Sequence, residues 1–174
     1  MGLTNIHGST VQERLNSKTL DLITVTATTD VESIGDNKVI AQSIEIPYVA
    51  STNRGRSLLK SVTVLDQTTT SPAIDIVFSS SSAAITQDEG KAVGEDIDDL
   101  DSVLANALGV VSLVAGDYTD LFDSSLGTKS GIDLVITPSA GSKSVYMHII
   151  NRSGSNWTAS ATTNMRVKIG VMKD

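Results

Sequence analysis

From residue 20 onward the chain alternates apolar and polar residues in short segments separated by turn formers, the period-two pattern of half-buried β-strands. Leu20 to Ala27 sets Ile23, Val25 and Ala27 on one face. Lys38 to Ile46 gathers Ile40, Ile44 and Ile46 and stops at Pro47, which lacks the N–H that a ladder needs. Ser57 to Leu65 carries Leu58, Val62 and Val64 with Lys60 as an intruder, and Ala73 to Phe78 carries Ile74, Ile76 and Phe78. Further segments are Gly109 to Ala115, Ile132 to Ile136 before Pro138, Ser144 to Ile150, and Asn164 to Met172. In the last, Met165, Val167, Ile169 and Val171 alternate with Arg166, Lys168 and Gly170. About eight strands at this spacing predict a mainly β chain, an antiparallel β-sandwich of jelly-roll-like kind.

One stretch breaks the period. Between Gly94 and Gly109 the acids Glu95, Asp96, Asp98, Asp99 and Asp101 precede an apolar run. Asp96, Asp98 and Asp99 mimic the start of a calcium loop, but Leu100 and Asp101 stand where a ligand and the turn glycine are required, and Ala107 where the bidentate acid belongs. At helical spacing Ile97, Leu100, Leu104 and Leu108 fall on one stripe, flanked by Val103 and Ala107. Acids in the first turn favour the positive end of a helix dipole, and Gly109 suits a stop. The spacing therefore predicts one short helix near 96–108 and no metal site.

Residues 1–19 follow neither period and read as an extended N-terminal arm, ordered where it touches something, with His7 and Arg14 as its candidate contacts. Residues 20–174 read as a single β-sandwich domain, which suits a chain of 174 residues.

Composition narrows the chemistry. Serine and threonine make up about a quarter of the residues, which favours strands and turns. Aromatic residues are only 3%, so the core must be built from Val, Ile and Leu. A formal net charge of -7 argues against nucleic acid as a partner, because phosphate binding needs a basic surface. With no cysteine there is neither a disulfide nor a thiolate ligand. The start at Met1 lacks the features of a signal peptide, and no apolar run approaches the length of a membrane span, so no membrane partner is expected.

Candidate catalytic motifs dissolve on inspection. Ser57-Leu-Leu-Lys60 matches S-x-x-K and Lys129-Ser-Gly131 resembles K-T-G, but residues three apart on a strand point to opposite faces. Of the two histidines, His7 lies in the arm and His148 reads as a surface or interface residue of a strand. Asn151-Arg-Ser153 and Asn156-Trp-Thr158 are formal glycosylation sequons, relevant only in a eukaryotic secretory pathway. Neither an enzyme nor a cofactor is expected. Asn53-Arg-Gly-Arg56 is a basic turn in an acidic protein, read either as a solvated hairpin loop or as a contact in which Arg54 and Arg56 meet a carboxylate-rich neighbour. Trp157, the only tryptophan, either covers the core or anchors an interface.

Taken in order, Ile46-Pro-Tyr-Val-Ala50, Gly55-Arg-Ser-Leu-Leu-Lys-Ser-Val-Thr-Val-Leu-Asp66, Ala73-Ile-Asp-Ile-Val-Phe78 and Gly109 to Leu121 form one series. Ser144-Val-Tyr-Met-His-Ile-Ile-Asn-Arg-Ser-Gly154 and Met165 to Val171 complete it. The series resembles a family of small tailed-phage virion proteins, the capsid decoration or cement proteins, over roughly residues 45–172. The resemblance implies a jelly-roll-like domain on the outer surface of an icosahedral head, made in the host cytoplasm. It further implies the major capsid protein as partner, a homotrimer as the common state, and no catalytic residue to carry over. The alternative is a carbohydrate- or receptor-binding β module of a phage head or tail fibre, with Trp157 and Tyr118 as stacking rings. An enzyme on the same scaffold would need converging acids such as Asp96 and Asp117.

Overall fold

A computed structural model describes residues 20–29, 33–68, 70–82, 105–159, 161 and 165–173. Their strands are β1 (Leu20–Ala27), β2 (Ser33–Ile34), β3 (Val39–Ile46), β4 (Ser57–Asp66), β5 (Ile74–Ser79) and β6 (Ala107–Leu113). They continue with β7 (Tyr118–Asp120), β8 (Ser125–Ile136), β9 (Val145–Asn151), β10 (Trp157–Thr158) and β11 (Met165–Lys173). Every ladder is antiparallel. A five-stranded sheet runs β1-β11-β4-β8-β7 and a four-stranded sheet runs β3-β9-β5-β6, while β10 and β2 form a separate short pair. The chain shuttles between the sheets, so strands adjacent in sequence mostly face each other across the core.

Each of the eight segments that alternate in the sequence falls on one of the longer strands. Their inward residues form one core: Leu59, Val62 and Val64 from β4 and Met165, Val167, Ile169 and Val171 from β11 meet Ile74, Ile76 and Phe78 from β5 and Val145, Met147 and Ile149 from β9. Burying each such side chain contributes roughly 1.5–3 kcal/mol, and aliphatic branching suits the pleated surface.

Strict alternation fails in β4. Leu59, not Leu58, faces inward with Val62 and Val64, because the register with β8 shifts between Leu59 and Ser61. The bulge absorbs Lys60, which reaches the carboxylate of Asp133 on the outer face. The intruder in the pattern thus marks the phase change. Opposite it, Gly131 and Asp133 adopt positive φ of 67° and 54°.

Strand β8 extends well before Ile132, although Ser125 to Gly131 has a turn-like composition. Ladders to β4 on one side and β7 on the other hold it extended. Gly127 lies opposite Tyr118, and a Cβ there would stand 2.8 Å from the ring. The aromatic ring occupies the space that a side chain would need.

The predicted helix near 96–108 is corrected at its C-terminal end, and residues 96–104 lie outside the described residues. Ala105 and Asn106 are helical, but Ala107 and Leu108 belong to β6, where Ala107 pairs with Ser79 of β5 and Leu108 falls at a register shift. Gly109 is no helix stop. It sits in β6 opposite Phe78, where a Cβ would come within 2.7 Å of Leu134 in the other sheet. The close approach of the two sheets takes precedence over the helical spacing there. The arm at 1–19 also lies outside the described residues.

Candidate interaction surface

The outward face of the five-stranded sheet is open and divides into two bands. At one end the register aligns Leu20, Met172, Leu58 and Val135 across four strands. Leu20 and Val135 are about half exposed and the neighbouring Leu22 is 62% exposed, so the row is an apolar surface band. Two ion pairs border it, Lys173 with Asp21 at 2.6 Å and Lys60 with Asp133. Toward the other end, rows of Thr24, Lys168, Thr63 and Thr128 and of Thr26, Arg166, Leu65 and Leu126 alternate polar and apolar groups.

The loop before β4 and the loop before β9 crown the end that carries the apolar row, since Ser57 pairs with both Ile136 and Lys173. The loop holding Asn53 to Arg56 is not a hairpin, because β3 and β4 lie in different sheets. It turns tightly, with the Gly55 N–H donating to the Thr52 carbonyl at 2.9 Å. The Arg54 N–H, at a residue with φ of 58°, donates to the Ser142 carbonyl at 3.1 Å. Arg54, Arg56 and Lys143 are exposed and Tyr48 is 69% exposed. This end therefore joins cations, one aromatic ring and an aliphatic row, and suits an acidic partner with apolar spots.

At the opposite end the side chains turn acidic. Buried Asp66 accepts from the Thr68 N–H and from the hydroxyls of Thr68 and Thr70, closing the turn after β4. Asp117 accepts from the Val114 N–H at 2.9 Å and from Lys129 at 3.0 Å, which together hold its carboxyl below the usual range. Tyr118 packs its ring inward, and burial, then Asp66, then Asp117, push its hydroxyl pKa upward.

The sequence-level candidates separate clearly. Arg54 and Arg56 come together at the surface, whereas His7 and Arg14 lie outside the described residues. Trp157 is 1% exposed and belongs to the core, pairing with Ile34 in the short β10-β2 ladder. Its ring is therefore no surface contact: Trp157 turns inward beside Ile34 while Arg152, Gly154, Ser155 and Asn156 around it stay exposed. His148 is corrected from a surface or interface residue to one buried within the chain. It points away from the core between Met147 and Ile149, yet is 0% exposed, and its Nδ1 accepts the Ser43 N–H at 3.2 Å. Burial lowers its pKa from 6.5 to about 4, so the ring is neutral.

Asn151 was legible only as a sequon, and its structural role was missed. It is buried, its amide donates to the carbonyls of Ile34, Gly35 and Ser155, and its Oδ1 accepts from Ser153. It ties β9 to β2 and to the following loop, which makes it a structural tether and leaves no amide for a glycan. The Ser57 hydroxyl is likewise committed, donating to the Val49 carbonyl at 2.5 Å, and Lys60 leaves by the other face. The S-x-x-K pair does not converge. Among the described residues no three His, Asp or Glu side chains gather into a set able to hold a metal ion, and no helix is long and apolar enough to cross a membrane. No family model matches the chain, and no curated protein matches it.

Proposed function

We propose that this chain is a structural virion protein, a capsid decoration protein that binds the outer surface of a phage head and cements adjacent major capsid subunits. The strand order carries the reading. With β2, β7 and β10 set aside, the long strands run first-eighth-third-sixth in one sheet and second-seventh-fourth-fifth in the other. That order supports the jelly-roll expectation, an architecture common in capsid and lectin domains. Fold alone does not make function, and the surface adds the second support. A rigid sandwich with one basic, partly apolar end offers what a cement protein needs: weak contacts multiplied by a lattice.

Arg54, Arg56, Tyr48 and the Leu20 to Val135 row form the capsid-facing end in this reading. The glycan-binding alternative draws no support from Trp157 and Tyr118, whose rings point inward. Capsids assembled with and without the protein provide the test. Bound copies and a higher temperature of DNA release are expected, with binding lost in Arg54→Glu/Arg56→Glu. Capsids that bind no copies and melt unchanged would sink the cement role.

A further inference from the structure

The hairpin tip between β7 and β8 displays two apolar side chains that its own chain does not cover. Leu121 is half exposed and Phe122 is 90% exposed. Phe122 also holds a left-handed φ of 74°, which disfavours any residue with a Cβ. Three hydrogen bonds enforce that geometry. The Leu121 N–H donates to the Ser124 carbonyl at 2.7 Å, the Asp123 N–H to the Leu121 carbonyl at 3.1 Å, and the Phe122 N–H to Asp120 Oδ1 at 3.0 Å. An aromatic ring held in strained backbone and projected into solvent points to a contact outside the fold. Asp120 and Asp123 flank it, so the plug is apolar with an acidic collar.

A matching socket lies on the open face of the five-stranded sheet. A cavity of about 260 Å³ is lined by Thr24, Thr63, Leu65, Leu126, Arg166 and Lys168. Its floor is aliphatic, and its two cations are exposed and make no ion pair among the described residues. An apolar cavity of roughly 150 Å³ already admits a benzene ring, so the space suffices for one phenyl group. The ring does not enter the cavity of its own chain, as its exposure shows.

We infer that the Leu121–Phe122 tip of one copy seats in the Leu65–Leu126 cavity of a second copy, with Asp120 and Asp123 facing Arg166 and Lys168. Plug and socket match in both apolar character and charge, and they belong to a chain whose net charge of -7 otherwise drives copies apart. The contact joins two different patches, so repeated head to tail it generates a ring wherever the rotation closes. It is a contact between copies and does not depend on the capsid reading.

Sedimentation velocity of the full chain over a wide concentration range tests it. Reversible association is expected, weakened at least tenfold by Phe122→Ala and by Arg166→Glu/Lys168→Glu. Mixing Asp123→Lys, which keeps the Asp120 carboxylate that accepts the Phe122 N–H, with Arg166→Glu/Lys168→Glu should partly restore association between the two variants. Unchanged melting temperatures would establish that the variants fold. A wild-type chain that stays monomeric at the highest concentration, or Phe122→Ala associating as tightly as wild type, would overturn the inference. So would loss of capsid binding in Phe122→Ala with self-association intact, because the tip would then serve another partner.

Discussion

Strands β9 and β11 each run through the middle of a sheet and present a similar aliphatic inward face, yet their outward faces differ. Along β11, Arg166 and Lys168 stand exposed between buried Val167 and Ile169. Along β9, outward His148 and Ile150 are buried like the core residues Met147 and Ile149. Ile150 joins Val39 and Val77 in a second small cluster on that outer side. The four-stranded sheet is thus closed on both faces over β9, with Val110 and Ser112 exposed at its edge strand β6, while the five-stranded sheet is open on its outer face. The open sheet carries the apolar row, the cavity and the exposed cations Arg166 and Lys168, and that is where a partner has room.

The contrast can be broken most directly by placing a charge on each outward face. Ile150→Asp should cost about 4 kcal/mol, since it leaves an uncompensated buried charge, whereas Lys168→Asp should change stability by no more than about 0.5 kcal/mol. Urea unfolding of the two variants gives the answer, and equal losses would mean that the faces are alike.

Next in size is a pH effect confined to the closed sheet. The folded-state pKa of His148, about 4, lies below its ordinary 6.5, so the unfolded chain binds the proton first as pH falls. Stability is unaffected above pH 6.5, declines as pH falls toward 4, and the full loss below that is at most about 3 kcal/mol. Urea midpoints against pH should be flatter in His148→Gln across that window. Equal slopes would place the pH dependence elsewhere.

Gly127→Ala probes the inner face of the open sheet, where a methyl group meets the Tyr118 ring. Overpacking of this kind costs about 2 kcal/mol, to be read from the thermal midpoint. Smallest is Lys60→Ala on its outer face, which removes an exposed pair with Asp133 and should cost under about 1 kcal/mol. A larger loss would mean that the bulge in β4 depends on this pair.

The same contrast explains what could be read early. Met165 to Val171 revealed both faces of its strand, because charges alternated with aliphatics and each outward side chain meets water. Val145 to Ile150 carried no such charges, and its uncharged outward residues were compatible with either an open or a covered face. The pattern therefore reads His148 as a surface or interface residue, whereas it is buried within the chain. Trp157 and Asn151 sat among turn formers, where composition reports local backbone preference and says nothing of what lies across the fold. The basic loop at Arg54 and Arg56 was visible as a charge anomaly, whereas the strained display of Phe122 had no sequence signal beyond one aromatic residue between two acids.

Sequence alone determined that eight alternating segments form strands and pack as a sandwich, though not how far β8 reaches before Ile132, because burial with a period of two is a property of each segment by itself. Tertiary structure decided the phase of β4 beyond its bulge, the strand rather than helix at Ala107 and Leu108, and the covering of His148. It also brought Leu20, Met172, Leu58 and Val135 into one row. All of these depend on which residue stands opposite another across a ladder or between sheets, and that relation can join positions far apart in the chain, as with Ser43 and His148.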